Sequence, residues 1–386
     1  MVKTLIFLVI VLLVSCGVDN RKEAENIIAE FEKEHITDKR ETVFDVYPVF
    51  EMGDLVLKGE ISNPQKKQDL VDAFGSLKFR DKITLLPDST VGEKTFALIN
   101  LSVTNLRAEP RHSAELVTQA LLGTPVKMLK KENGWYLIQT PDNYISWVDP
   151  SGITPITKNE LQNWRQSERV IFTKNFAEVF RDERMEQPLS DISMGNILEV
   201  VNQNRGSLEL RFPDGRKGFA ANTGWTNFET FKNKMQPDTT NIINMARQFT
   251  GRPYLWGGTS SRAMDCSGFT KTVYFMNGVI LARDASLQVR HGNLVDSGES
   301  FNQFQPADLL FFGRITADST ERITHVAIST GRSEFIHASG RIKENSFNPA
   351  SENYSEYRRE SFMRARRVIA SEGTEGIQWI KNHPWY

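Results

Sequence analysis

The sequence predicts a multidomain α+β protein, in which a short α+β segment and two small β-barrels precede a larger α+β domain. The chain has 386 residues, which allows two to four domains of roughly 100–200 residues each. Short strands separated by turns begin near residue 96, and an amphipathic helix near residue 240 opens a mixed pattern. With 39% hydrophobic and 25% charged residues and a net charge of −1, the composition gives no sign of a nucleic-acid partner.

The N-terminus carries an apolar run, LIFLVIVLLVS, at residues 5–15. It is too short to span a bilayer, which takes about 20 residues, and its length is typical of a signal-peptide core. The run ends in Leu-Val-Ser-Cys-Gly, which resembles the bacterial lipoprotein signal, where a lipid is attached to the cysteine. We expect residues 1–16 to be a signal peptide with lipidated Cys16. The protein would then be exported and membrane-anchored, facing the periplasm or the cell surface.

Residues 20–92 are predicted to form a short α+β segment that shows no chemistry in its sequence. Residues 22–36 carry apolar side chains on one helical face. Residues 42–61 alternate around the turn Glu51-Met52-Gly53-Asp54 and predict a hairpin, and residues 64–77 predict a second helix.

Two segments of the chain repeat each other at an offset of 72 residues. Each match falls at the same place in a strand–turn–strand pattern, which predicts two small β-barrels at residues 94–155 and 165–228. The first resembles bacterial SH3-like domains, with their Asn-Leu-Arg-x-x-Pro opening and Gly-Trp strand. The second lacks that opening and resembles them more weakly. The matched positions are Gly123 with Gly195, Pro141-Asp142 with Pro213-Asp214, and Trp147 with Phe219.

Residues 238–368 are predicted to form the third folded region, followed by an extension over residues 369–386. Asp238 or Thr239 can cap its first helix, which ends at Gly251-Arg252-Pro253.

Cys266 is the one cysteine left once the N-terminal cysteine is assigned to the anchor. Apolar residues follow it with helical spacing, so it lies in the first turn of a core-facing helix. The positive end of a helix lowers the pKa of a thiol, and the small Ser267 and Gly268 would leave the sulfur open to solvent. Cys266 is therefore predicted to be a reactive thiolate, and a small buried hydrophobe is the alternative. The apolar positions are Phe269, Val273, Tyr274 and Met276.

Two histidines, His325 and His337, occupy strand-like runs joined by Gly331-Arg332-Ser333. A hairpin centred on Gly331 would make them cross-strand partners on one face, with Cβ atoms about 4.5–5.5 Å apart. One could then take the thiol proton while the other orients it, and two core histidines are the alternative. His112 and His291 are predicted to be surface residues.

The motifs PYLWGG, DCSGFTKTVY, PADLLFF, THVAI and FIHAS resemble those of the NlpC family of papain-like cell-wall cysteine peptidases. The resemblance covers about residues 240–368 and implies a papain-like catalytic domain. It also implies that Cys266 is the nucleophile, His325 the base and His337 the orienting residue. Ala307 stands where the family usually has glycine, a departure that we do not expect to matter.

The tandem SH3-like arrangement resembles the subgroup that cleaves the γ-D-glutamyl–diamino acid bond of murein peptides carrying a free N-terminal L-alanine. In that subgroup the first SH3-like domain closes one end of the cleft. A free ammonium in a partly dry pocket must be paired, which would reject murein whose amine is blocked. The resemblance implies that Glu109, Tyr144 and Asp284 hold the amine, that Tyr254 and Trp256 form an aromatic wall, and that Asp265 and Ser267 flank the nucleophile.

The expected partner is thus a murein peptide, with no nucleic acid, no cofactor and no metal, and the protein is expected to be a monomer. The group that binds the D-glutamate α-carboxylate stays open among Arg283, Arg252 and backbone N–H groups near the helix start. One alternative is an endopeptidase, amidase or acyltransferase that acts on intact murein. Another is a lipid-anchored murein-binding protein with a decayed peptidase domain.

Overall fold

The computed structural model describes residues 20–234, 237–298, 301–369, 371 and 376–386. The predicted signal peptide and Cys16 lie outside the described residues. The chain divides into two compact units, one of the residues up to Glu93 together with Met128–Lys131, the other of Lys94–Lys127 and Glu132–Tyr386. No helix in the described part of the chain is long and apolar enough to cross a membrane.

The first unit contains helix α1, described over residues 20–35, and a three-stranded sheet in the order β1-β2-β3. The predicted hairpin is confirmed, and its two turn residues, Met52 and Gly53, both have positive φ, as a tight two-residue hairpin turn requires. The sequence did not predict β3, which runs parallel to β2 after a helical crossover. The elements are β1 Phe44–Glu51, β2 Asp54–Ile61, α2 Pro64–Ala73 and β3 Arg80–Leu85.

The next sheet has seven strands in the order β10-β4-β7-β8-β9-β5-β6. At its tight turn, the Gly123 N–H donates to the Ile99 carbonyl oxygen and so joins the turn to the strand that ends there. The strands are β4 Phe96–Ile99, β5 Val103–Arg107, β6 Leu116–Leu121, β7 Pro125–Glu132, β8 Trp135–Gln139, β9 Ile145–Val148 and β10 Ile153–Ile156.

A second seven-stranded sheet follows helix α3, Lys158–Gln166, and its order is β17-β11-β14-β15-β16-β12-β13. When the strands of each sheet are renumbered from one to seven along the chain, both sheets have the order 7-1-4-5-6-2-3. Gly195 donates its N–H to Phe172 in the same place as Gly123 donates to Ile99, so the repeat read from the sequence has a structural counterpart. The strands are β11 Arg169–Phe172, β12 Phe176–Phe180, β13 Pro188–Ser193, β14 Ile197–Gln203, β15 Ser207–Arg211, β16 Lys217–Ala221 and β17 Trp225–Asn227.

The remaining chain builds a six-stranded antiparallel sheet in the order β21-β26-β22-β23-β24-β25, against which helix α6 packs its apolar face. The elements before this helix are α4 Phe228–Lys234, α5 Thr239–Gln248, β18 Thr259–Ser260 and β19 Ala263–Met264. The helix and the elements after it are α6 Cys266–Phe275, β20 Val279–Leu281, α7 Ala285–Gln288, β21 Asn293–Val295, β22 Leu309–Ile315, β23 Glu321–Gly331, β24 Glu334–Ser339, β25 Arg341–Ser346, α8 Glu356–Glu360, β26 Phe362–Arg367 and β27 Ile377–Trp379.

The C-terminal extension and Ala307 both differ from what the sequence predicts. The extension after residue 368 is part of the fold, because β27 pairs with β20 and Tyr386 is buried in the same core as α6. Ala307 has a φ of 72°, in the left-handed region that glycine adopts without strain. Its departure from glycine therefore costs roughly 1–2 kcal/mol of backbone strain, contrary to our expectation that it does not matter.

Candidate active site

Cys266 is the first residue of α6, and the helix starts there because Asp265 caps it. The Asp265 Oδ1 accepts the Gly268 N–H at 2.7 Å, which satisfies one of the unpaired donors of the first turn. A Cβ on Gly268 would lie 2.0 Å from the Gly258 carbonyl oxygen, so glycine permits a close contact with that loop. The small size of Gly268 therefore serves packing. It does not open the sulfur to solvent as predicted, because Cys266 is only 7% exposed.

The predicted low pKa of the thiol is wrong for the resting site. Burial, reinforced by the Asp265 carboxylate, raises the pKa of Cys266 to about 11. The backbone N–H groups of Val326 and Ser267 and the Arg283 guanidinium oppose this rise without cancelling it. The helix end does act on the sulfur, but its capping carboxylate and the loss of water outweigh it.

His325 and His337 share one face of a hairpin, as predicted, but they are not directly opposite each other. Ile328 pairs with Ile336, and this register sets Ala327 opposite His337. The hairpin is not centred on Gly331, because Gly331 pairs with Glu334 and the turn is Arg332-Ser333; a bulge between Ser329 and Gly331 shifts the pairing by one residue. The two rings meet diagonally instead, with His325 Nε2 at 2.8 Å from His337 Nδ1.

A hydrogen-bond chain fixes the tautomers of both histidines. The Asn345 Nδ2 donates to the Asn353 carbonyl at 2.7 Å, so its Oδ1 faces His337 Nε2, 2.9 Å away, and accepts a hydrogen bond from the Nε2–H. Burial lowers the pKa of His337 to about 4, so the ring is neutral and its Nδ1 is an acceptor. His325 must then donate from Nε2, and its Nδ1 is left as a base.

The base and the nucleophile lie at neighbouring positions. The backbone N–H of Val326, the residue after His325, points at the Cys266 sulfur. Burial, with smaller effects from Arg358 and His337, holds the pKa of His325 well below its usual value. The resting site therefore pairs a protonated thiol with a neutral imidazole that can accept its proton.

A buried ion pair holds the start of α6 against the first seven-stranded sheet. Arg283, 1% exposed, donates from Nη1 to Asp265 at 3.1 Å and to the Ser267 hydroxyl at 2.9 Å. Its Nε donates to Thr118 on β6 at 2.8 Å. A Cβ on Gly257 would lie 2.3 Å from the Leu116 carbonyl oxygen, so glycine at this position permits the close approach.

The residues expected to hold a substrate amine are only partly brought together. Tyr144 is buried against Ala282 and Leu287, and the Asp284 carboxylate lies 3.9 Å from Arg283. The Arg283 charge acts on both groups. Glu109 lies on an exposed turn and is held by Arg111, which donates to its carboxylate at 2.9 and 3.1 Å and lowers the pKa of that carboxyl.

The two aromatic residues differ in exposure. Trp256 is 63% exposed and donates its indole N–H to Glu115 of the first seven-stranded sheet at 2.7 Å. Tyr254 is half-buried, and burial raises the pKa of its phenol, with smaller effects from Cys266 and Asp265. Both residues lie on the loop that precedes α6, and Tyr254 is the one shown to interact with the nucleophile.

The two histidines predicted to lie on the surface, His112 and His291, differ in exposure. His112 is exposed, as predicted. His291 is half-buried and packs against Gly376, so its surface assignment is wrong. No group of three or more His, Cys, Asp or Glu side chains suited to a metal occurs in the described ranges.

Two family models match the chain, the NlpC/P60 family at residues 251–367 and the bacterial SH3 domain at residues 102–154. Residues 251–367 are an NlpC/P60 domain. The helix that begins at Cys266 and the strands that carry both histidines lie inside it.

Two curated proteins are similar to the chain beyond its NlpC/P60 domain. A gamma-D-glutamyl-L-lysine dipeptidyl-peptidase from Bacillus cereus (strain ATCC 10987 / NRS 248) is 28% identical over 232 residues, which cover 58% of this chain and 67% of the relative. Dipeptidyl-peptidase 6 from Lysinibacillus sphaericus is 26% identical over 273 residues, which cover 68% of this chain and 95% of the relative.

A crystal structure of an NlpC/P60 family protein from Bacillus cereus ATCC 10987 superposes with a TM-score of 0.60. It is 23% identical and covers 71% of this chain and 99% of that chain, so the likeness concerns the fold. The predicted papain-like NlpC/P60 domain, combined with an SH3 domain in one chain, is confirmed.

Three residues at the site were not found from the sequence. Asn345 reaches His337 from the next strand, Glu115 reaches Trp256 from another domain, and Arg358 reaches the histidine face from α8. None of them belongs to a local motif, and only the fold brings them to the NlpC/P60 site.

Proposed function

We propose that the protein is a cysteine peptidase that hydrolyses the γ-D-glutamyl–diamino acid bond of murein peptides with a free N-terminal L-alanine, releasing L-Ala-γ-D-Glu. The observation that carries it is the chain from His325 through His337 to Asn345, which leaves His325 Nδ1 as a base on the residue next to Val326, whose N–H points at the Cys266 sulfur. The name of the Bacillus cereus relative supports the γ-D-glutamyl–lysine bond, and both names support release of a dipeptide.

The chemistry follows from the protonation states. The Cys266 thiol gives its proton to His325 Nδ1, and the sulfur attacks the γ-carbonyl carbon of D-glutamate. The oxyanion is stabilised by backbone N–H groups at the start of α6, of which Cys266 contributes the first. His325 then protonates the leaving amine, and the C–N bond breaks to give a thioester. Water, deprotonated by His325, attacks the thioester and releases the dipeptide and the free thiol.

Specificity for a free amine rests on the end of the cleft that is formed with the SH3 domain. The Asp284 carboxylate and the Tyr144 phenol would pair the L-alanine ammonium, which an acetylated peptide does not offer. Glu109 contributes less than the resemblance implies, because Arg111 already pairs with it and water surrounds both.

Arg283 is a positioning residue in this scheme. Its Nε and both terminal nitrogens already donate to Thr118, Asp265 and Ser267, so it has little left to offer the D-glutamate α-carboxylate. Of the three candidates from the sequence, Arg252 and the backbone N–H groups at the helix start remain.

Three further features belong to the proposal. Residues 165–228 would be a second SH3-like domain, which their strand order supports. Cys16 would carry a lipid and anchor an exported protein to a membrane, facing the periplasm or the cell surface, which the N-terminal sequence supports. The protein would act as a monomer.

Product analysis tests this function. Purified protein is incubated with L-Ala-γ-D-Glu-L-Lys, and mass spectrometry follows the products, with Cys266→Ser as the inactive control. We expect L-Ala-γ-D-Glu and lysine in equal amounts and no free alanine. Release of peptides from intact murein at a similar rate, or no hydrolysis of the tripeptide, would contradict the proposal.

A further inference from the structure

Arg358 lies on the same face of the hairpin as the two histidines. Its Nη2 donates to the Ser339 hydroxyl at 3.5 Å, and Ser339 is two residues after His337 on β24, so both side chains point the same way. Its guanidinium lies 5.4 Å from the centre of the Phe312 ring, and Phe312 pairs with His325 in the sheet. The cation therefore stands over the base and its orienting partner.

No carboxylate among the described residues forms an ion pair with Arg358. Two other arginines of this unit that are buried or half-buried do have one: Arg283 has Asp265, and Arg367 has Asp308. Arg358 is half-buried, and its one hydrogen bond from the side chain is long. A cation that is partly removed from water beside a nucleophile, without an acid to neutralise it, is suited to bind a substrate anion.

The charge of Arg358 acts on the reacting groups themselves. It helps to lower the pKa of both histidines, and it interacts with the Cys266 sulfur and the Tyr254 phenol. The contacts of Arg358 with Ser339 and Phe312 hold the side chain but do not neutralise its charge, and a bound anion would do so.

The direction of the cleft decides which anion is bound. Asp284 lies beside Arg283, which bonds to Thr118 of the SH3 domain, whereas Arg358 contacts Ser339 and Phe312 next to the two histidines. The imidazole delivers its proton to the leaving nitrogen, so the leaving group must lie on the histidine side as well. In a leaving diamino acid, the α-carboxylate is two bonds from that nitrogen.

We propose that Arg358 binds the free α-carboxylate of the leaving diamino acid, so that the enzyme prefers tripeptides that end at this residue over longer peptides. This inference rests on the proposed function, since it assumes that a diamino acid leaves the site. The enzyme would then recognise both free ends of the peptide, the N-terminal amine and the C-terminal carboxylate.

Four matched peptides test the proposal: L-Ala-γ-D-Glu-L-Lys, its C-terminal amide, its N-acetyl derivative, and the variant with an amidated D-glutamate α-carboxylate. The full-length protein is compared with Arg358→Gln, Arg358→Lys and the control Arg314→Gln, which removes an exposed arginine on β22. We expect wild type and the control to prefer the free acid over the C-terminal amide by roughly ten- to a hundredfold in kcat/KM. Arg358→Gln narrows this ratio to about threefold, Arg358→Lys gives an intermediate ratio, and discrimination against the N-acetyl peptide is unchanged.

The outcomes separate the two claims. A wild-type ratio near one for acid and amide overturns the role of Arg358 without any variant, even if Arg358→Gln does not fold. An equal loss on all four peptides in Arg358→Gln means a structural role. Narrowing confined to the peptide with the amidated D-glutamate means that Arg358 binds the other carboxylate. If wild type cleaves none of the peptides, or cleaves the N-acetyl peptide equally well, the proposed function fails, and the inference fails with it.

Discussion

Asn345 Oδ1 accepts a hydrogen bond from His337 Nε2–H at 2.9 Å, and this bond determines which nitrogen of His325 is the base. This control of the tautomer passes from Asn345 through His337 to His325, which lie on three neighbouring strands. It depends on the Asn353 carbonyl, which holds the Asn345 amide in place. The site is thus a nucleophile with three polar residues behind it rather than two.

The first prediction concerns this fourth residue. Asn345→Ala leaves His337 free to change its tautomer, and we expect kcat to fall roughly ten- to a hundredfold with little change in KM. Asn353→Ala is the control, because it keeps the backbone carbonyl that holds Asn345. Steady-state kinetics on the tripeptide provide the measurement, and equal kcat values for the two variants would contradict the orienting role.

The second prediction concerns the two histidines. His325→Ala loses nearly all kcat, since no other group near the sulfur takes its proton. His337→Ala loses less, and His337→Gln recovers part of the loss, because an amide oxygen can still accept the His325 Nε2 proton. A Gln variant as inactive as His325→Ala would show that His337 does more than orient.

The third prediction is a pH profile. His325 must be neutral to act as a base and its pKa is lowered, so the acidic limb of kcat/KM lies below pH 6.5. The substrate must keep its ammonium, whose pKa is about 8, so activity on free peptide falls above that pH. The thiol pKa is raised to about 11, so iodoacetamide alkylates Cys266 at pH 6 more slowly than it alkylates free cysteine. Faster alkylation would indicate a preformed thiolate–imidazolium pair.

The fourth prediction concerns stability in acid. His383 is buried and neutral, donating from Nε2 to the Pro141 carbonyl and accepting the Trp385 N–H, and burial lowers its pKa to about 4. The unfolded chain binds this proton below about pH 6.5 and the folded chain does not, so stability falls as the pH drops from 6.5 towards 4. Between pH 7 and 5 the loss from this residue is about 2 kcal/mol.

Urea unfolding at pH 7 and pH 5 measures this contribution. His383→Gln keeps a donor for Pro141 but cannot titrate, so its stability changes less between the two pH values than that of wild type. An identical change in both proteins would mean that His383 takes up its proton in the folded state.

The start of α6 could be predicted because its signals are local: a capping aspartate, a run of helical spacing and small residues beside the thiol. The hairpin of the two histidines was predicted with the correct face and the wrong register. The turn is formed by Arg332, with a φ of 55°, and Ser333, and a bulge next to Gly331 shifts the register by one residue, which no periodicity reveals.

Other properties of the site could not be read from the sequence. The thiol pKa depends on how much water the folded protein removes, and burial reversed the direction expected from the helix end. Glu109 was matched to the substrate amine by resemblance, but the sequence could not show that Arg111 already pairs with it.

The fifth prediction separates the two acids assigned to the substrate amine. Asp284→Asn lowers kcat/KM on the free-amine tripeptide by roughly ten- to a hundredfold, the value of a partly buried charge-assisted hydrogen bond. Glu109→Gln lowers it by about threefold or less, because this carboxylate is exposed and already paired. A larger loss in Glu109→Gln than in Asp284→Asn would mean that Arg111 gives up its partner when the substrate binds.

The ratio of kcat/KM for L-Ala-γ-D-Glu-L-Lys and its N-acetyl derivative, measured in wild type and in Asp284→Asn, tests whether the enzyme reads a free amine. We expect wild type to prefer the free amine by roughly a hundredfold or more, and the ratio to narrow in Asp284→Asn through loss on the free-amine peptide alone. Equal values for the two peptides in wild type would contradict the free-amine pocket. The protein would then be a general murein endopeptidase whose SH3 domain only supports the fold.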